Sequence, residues 1–178
     1  MTANKEIKTV DDVVGLRLRL PDIVYFTKCW TAMGANCMVI NSTELFSALQ
    51  TGVCDAQENP TSTNYNRKIN EVQDYYMLSN HYVDFYTIIV GSEWYNALPE
   101  SYQTMIDEIV DEASEIATQL VEDNESKYLQ ELEDAGMTIV EPEMDGFRAV
   151  AMEVLETVKG DWEDWVYEQM LIDTGIGG

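Results

Sequence analysis

From residue 102 to residue 135 the chain runs for about 34 residues without a glycine or a proline, and this stretch limits the fold more than any other feature. Its apolar residues Met105, Ile109, Ala113, Ile116, Leu120, Tyr128, Leu132 and Ala135 return at helical spacing, which predicts one helix roughly 50 Å long. Such a helix exceeds the usual globular range, so it either pairs as a coiled coil or bridges two lobes of a larger protein. Gly136 is the expected stop. Asp107, Glu108, Asp111, Glu112 and Glu115 crowd its N-terminal half, where the helix dipole favours negative charge and a solvated face explains them without a function.

The ninety or so residues before this helix read as α/β. In GLRLRLP, residues 15–21, Leu16, Leu18 and Leu20 alternate with Arg17 and Arg19, the period of a strand with one apolar face, and Pro21 ends it. Ile23, Phe26, Trp30 and Met33 then recur as on a helix face, with Gly34 as the cap. The apolar run CMVI, residues 37–40, predicts a second strand, followed by a helix through Leu45, Phe46, Leu49 and Gln50 that Ser42 or Thr43 caps and Gly52 stops. A third strand, VCDA, leads into the polar turn QENP. Beyond Pro60 come a polar helical stretch with Ile69 and Val72 and then two strand-like runs, YYMLSNHYV and FYTIIVG. After the long helix, MTIVEP offers one more strand and residues 144–171 a final helical region, while the tail DTGIGG is expected to fray.

Composition removes several function classes. Ten basic residues against 33 acidic ones give a formal charge of -23, which repels nucleic acid and anionic lipid. No run of about 18 apolar residues is present to span a bilayer, and residues 1–12 contain no apolar core of a secretory signal, so an exported parent is expected to have lost its signal. Cys29, Cys37 and Cys54 lack CxxC spacing, and His81 is the single histidine, so no metal site is expected. Walker A, GxGxxG, GxSxG and HExxH patterns are absent, and no cofactor is expected.

The same charge repels a small carboxylate, so an acid-binding site needs its own cation, and only Arg17, Arg19, Arg67 and Arg148 carry guanidinium groups. Arg17 and Arg19 face away from the leucines of their strand, where a guanidinium offers a flat donor fork to a carboxylate; a surface salt bridge is the commoner use of such a residue. QENP, Gln57–Pro60, sits at a strand end before a helix, a position where ligands of α/β proteins bind, and it is equally well a polar turn. Asp55, Glu58 and His81 allow an alternative, a small acidic α/β enzyme, although two carboxylates in one loop of an acidic chain are weak evidence for acid and base catalysis. The tyrosines and phenylalanine from Tyr75 to Tyr86 line a pocket or, more commonly, pack a sheet.

Taken in order, IKTVDDVVGLRLRLP, AMGANCMVINSTELFSALQTGVCDAQENP and NEVQDYYMLSNHYVDFYTIIVGSEWYNALPE resemble the second half of TRAP-type (DctP-like) solute-binding proteins, from about residue 5 to residue 135. The resemblance implies a periplasmic two-lobed α/β fold of which this chain holds the second lobe and long C-terminal helices, with the N-terminal half missing. Residues 1–88 would form the second lobe; residues 89–178 would return to the first through the bridging helix. It implies a non-catalytic protein that captures a small organic acid and hands it to a small and a large permease subunit in the membrane. Arg19 matches the arginine that pairs with the ligand carboxylate and Asn59 the asparagine beside it, while Asp22 and Ser42 fall at cleft-lining positions. Dimers through C-terminal helices occur in the wider family, so a helix-mediated oligomerisation fragment is a further alternative. A first lobe lacking its N-terminal strands leaves apolar surface uncovered.

Overall fold

A computed structural model describes residues 1–83 and 85–173. One mixed sheet organises the chain, with strands β1 (Thr2–Ala3), β2 (Arg17–Leu20), β3 (Asn36–Val39), β4 (Ala56–Gln57), β5 (Tyr75–Met77) and β6 (Thr138–Val140) in the order β3-β2-β4-β1-β5-β6. β2 lies parallel to β3 and to β4, β5 lies parallel to β6, and β1 runs antiparallel between β4 and β5. The helices are α1 (Val24–Ala32), α2 (Leu45–Gln50), α3 (Thr61–Asn66), α4 (Ser92–Asn96), α5 (Glu100–Asp134), α6 (Met144–Val158) and α7 (Asp164–Asp173).

The leucine alternation works as its period requires. Leu16, Leu18 and Leu20 are buried together with Trp30 of α1, Met33 just after it and Phe147 of α6, so α1 and α6 cover one face of the sheet. Two helix ends explain how the chain turns back onto that sheet. Gly34 takes φ +91°, its N–H bonds the Thr31 carbonyl, and the next N–H, of Ala35, bonds the Trp30 carbonyl. Gly136 takes φ +104° and repeats the pattern, with its own N–H on Glu133 and that of Met137 on Leu132. These are paired closing bonds of a left-handed C-cap, and the apolar contact that accompanies such caps is present between Leu132 and Met137.

The long helix is as expected in kind, spanning Glu100–Asp134, 35 residues or about 52 Å. Its last third packs against α3 and the sheet, while near its start Asp107 accepts from the Tyr95 hydroxyl of α4. Tyr128 stacks on Tyr65 of α3 at 4.5 Å, Glu125 accepts from the Thr61 hydroxyl, and Leu132 is buried with Tyr76 and Met137. Residues 111–123 are exposed on every side of the helix. Leu132→Ala is therefore expected to destabilise the fold by about 2–5 kcal/mol, and Val121→Ala by less than about 0.5 kcal/mol, measured by urea unfolding.

Several sequence expectations are corrected. FYTIIVG is not a strand: the described residues 85–91 lie outside the sheet and are exposed. Of YYMLSNHYV only Tyr75–Met77 pairs. Neither Ser42 nor Thr43 caps α2, whose N-cap position is Glu44; Asn41 Oδ1 instead accepts from the Thr43 N–H and hydroxyl, and this local turn engages the residues that would otherwise cap. The third strand starts at Ala56, three residues later than VCDA implies, and β1 was not expected. From beyond α5, β6 joins the sheet beside β5 and α6 packs on the core built by the first segment. The tail DTGIGG lies outside the described residues apart from Asp173.

Candidate functional site

The parallel strands β2, β3 and β4 end together, at Leu20, Val39 and Gln57, with Arg19 in register with Met38 on one side and Gln57 on the other. Carboxyl ends of parallel strands are where ligands of open α/β sheets bind, because loops diverge there and leave backbone and side-chain groups facing a crevice. Arg19 is central to this edge.

Alternation places Arg17 and Arg19 on the same face of β2, but their surroundings differ. Arg17 is exposed and closes a fork onto Asp55, with Nε 2.8 Å from Oδ2 and Nη2 2.5 Å from Oδ1, and its Nη1 donates to the Gly52 carbonyl at 2.8 Å. That bond holds the Asp55 carboxyl below its usual range, so Asp55 is a structural counter-ion and not an acid or base awaiting a substrate. Arg19 is only 3% exposed, yet its one protein hydrogen bond among the described residues is from Nε to the Ile40 carbonyl at 2.8 Å. Its Nη1 and Nη2 donate to no protein acceptor among the described residues, and since no fully buried side-chain nitrogen there lacks a partner, that edge keeps access to solvent. Burial lowers the Arg19 pKa, Arg67 lowers it further, and the Glu58 carboxylate opposes both. A guanidinium stays protonated under all ordinary conditions, so the consequence is a desolvated positive charge whose outer edge lacks a counter-ion in contact.

The other residues singled out from the sequence fall around this edge unevenly. Asn59 is half-buried, two residues beyond β4, and its Nδ2 donates to Gln57 Oε1. Ser42 is exposed two residues after the carbonyl that holds Arg19, and its own carbonyl accepts from Arg67 Nη1. Asp22 is exposed in the turn between β2 and α1. Sequence reasoning overlooked the part played by Arg67, at the end of α3, and the pairing of His81 Nε2 with Glu58 Oε2 at 3.5 Å. His81 also meets the Ser79 hydroxyl through Nδ1 at 2.6 Å and packs edge-on to Trp30 at 5.4 Å. Glu58 and Trp30 lie 23 and 51 residues from His81, beyond any local motif. Ser79 is buried at 4% exposure, so the serine, histidine and carboxylate sequence fixes a loop and does not present a nucleophile to solvent.

Comparison with known proteins gives the chain's family. The family model of bacterial extracellular solute-binding protein, family 7 (DctP), matches residues 1–161. The C4-dicarboxylate-binding periplasmic protein DctP of Rhodobacter capsulatus is 34% identical over 138 residues, covering 78% of this chain and 41% of that protein. A TRAP periplasmic solute-binding protein of Shewanella oneidensis with bound succinate superimposes with a TM-score of 0.86 at 26% identity, over 94% of this chain and 56% of that one. One from Roseobacter denitrificans with bound L-galactonate gives 0.78 at 28% identity, over 86% and 51%. This chain thus spans about half the length of the relatives it matches. They are receptors, not enzymes, and with the family model covering most of its length the chain belongs to the family 7 bacterial extracellular solute-binding proteins.

Proposed function

We propose that the chain is the acid-gripping part of a periplasmic solute receptor that captures a small organic acid and delivers it, unchanged, to the small and large permease subunits of a TRAP transporter. One observation carries this: at the carboxyl ends of three parallel strands the nearly buried Arg19 guanidinium keeps two donor groups without a protein acceptor among the described residues. A carboxylate fits that edge through two parallel N–H···O bonds, and the low local dielectric strengthens them. Asn59 contacts the same acid, Ser42 and Asp22 line its surroundings, and Arg67 adds positive potential that offsets the overall charge of -23. Residues 1–88 form the second lobe, and α5 crosses toward the first. A homodimer through the C-terminal helices is supported by the apolar stripe of Met105, Ile109, Ile116 and Leu120, each more than half exposed.

Titration calorimetry with succinate, which carries no hydroxyl, and L-galactonate, which carries several, tests the proposal. Saturable binding of an acid at one per chain, weakened by salt, is expected. Binding of neither acid, or equal binding of their neutral amides, would overturn it.

A further inference from the structure

Thr2, Gln57, Asn64 and Gln73 are polar yet buried to 1% exposure or less beside β1 and β4, where an unpaired amide is strongly unfavourable. Their hydrogen bonds form one relay, and backbone carbonyls fix its direction. Asn64 Nδ2 donates to the Asn59 carbonyl at 3.1 Å; a carbonyl can only accept, so Asn64 turns its Oδ1 toward Gln57. Gln57 must present Nε2 there, at 2.8 Å, and the same nitrogen donates its second hydrogen to Thr2 Oγ1, also at 2.8 Å. Thr2 passes its own hydrogen to Gln73 Oε1 at 3.1 Å, and Gln73 Nε2 is held by Asn4 Oδ1 at 2.6 Å and the Asp55 carbonyl at 3.3 Å.

With both hydrogens of Gln57 engaged, its Oε1 is left to face Asn59, from whose Nδ2 it accepts. Turning the Asn59 amide over would set oxygen against oxygen. Its Oδ1, turned away from Gln57, accepts no hydrogen bond among the described residues. Asn59 thus offers a ligand a fixed acceptor, with the second Nδ2 hydrogen as a donor, in place of an amide free to flip.

We propose that Gln57 and Asn64 are positioning residues of the acid site: without touching the ligand, they lock Asn59 with Oδ1 outward, so that it selects for acids with a hydroxyl donor beside the carboxylate. This rests on Arg19 and Asn59 contacting the acid, as proposed above. A bare carboxylate gains little from a fixed acceptor and is held mainly by Arg19. A hydroxyl gains a full hydrogen bond.

The test compares the two acids in Gln57→Met, which keeps the side-chain shape but removes the acceptor for Asn59 Nδ2. Affinity for L-galactonate is expected to fall about tenfold while that for succinate changes less than about threefold. Equal loss for both, the result of a merely structural defect, overturns the proposal. A second readout needs neither a variant nor a ligand: in the wild-type chain one Asn59 side-chain amide proton is expected to exchange at least about tenfold more slowly than those of the exposed Asn66. Exchange as fast as at Asn66 overturns the relay. If the wild type binds neither acid, the carboxylate assignment fails, and the exchange measurement still decides the relay.

Discussion

Arg19→Ala is expected to weaken acid binding by about 3 to 5 kcal/mol, a factor of at least ~100, which in calorimetry is loss of measurable heat. The size follows from burial. At 3% exposure the guanidinium has already been stripped of most of its hydration, so a carboxylate arriving at its outer edge restores contacts that water provides elsewhere. Arg19→Lys is expected to fail nearly as badly, because an ammonium cannot hold the Ile40 carbonyl and offer two parallel donors together. Arg17→Ala serves as the control: that side chain is occupied by Asp55 at the surface, so binding should be retained. Comparable unfolding curves for the three variants separate loss of the site from loss of the fold. Undiminished affinity in Arg19→Ala would reject the assignment.

In a polypeptide that starts at Met1, raising the pH from below 5 to above 8 is expected to stabilise the fold by about 4 kcal/mol through the Met1 amine alone; where residues precede Met1 this nitrogen is an amide and the effect is absent. This amine is buried beside β5, where it donates to the Met77 carbonyl at 3.0 Å while the Met77 N–H returns a bond to the Met1 carbonyl at 2.8 Å. Burial lowers its pKa from 8.0 to about 5, against the opposing pull of Glu58. Between those values the unfolded chain binds a proton that the folded chain does not, so stability rises with pH across the window. Below it both states are charged and the full penalty applies; above it both are neutral and the penalty is gone. Urea unfolding of the chain with a free Met1 amine, compared with the same chain acetylated there, isolates this group from His81 and the carboxylates. Identical pH profiles for the two would contradict it.

How much of this was legible beforehand depends on how local the cause is. Leu16, Leu18 and Leu20 declare their strand because alternation is a property of neighbours, and Gly34 and Gly136 declare helix ends because only a residue without a side chain takes those φ values readily. β1 went unseen because Thr2 and Ala3 are too few to show a period, and their role comes from partners more than fifty residues away. FYTIIVG misled for the converse reason: its residues suit a strand, but strand propensity alone does not bring a segment to a sheet, and its described residues lie outside this one.

The site was half legible in the same sense. Periodicity gives the face of β2 on which Arg19 lies, but it does not separate Arg19 from Arg17. Their difference comes from what stands opposite: Asp55 satisfies Arg17, whereas Arg19 is covered without being satisfied. The orientation of Asn59 is further from the sequence still, since it depends on a carbonyl reached through Asn64 and on a glutamine whose hydrogens are fixed by Thr2. Such chains of donors and acceptors have no signature in residue order.

Nitrogen NMR of the Arg19 guanidinium during titration with L-galactonate is the most direct check on how this chain grips its ligand. Saturable shifts of the Arg19 Nη signals, with Arg17 and Arg148 unmoved and no response to the matching amide, are what the proposed grip requires. Binding of the acid that leaves those Nη signals where they began would contradict it.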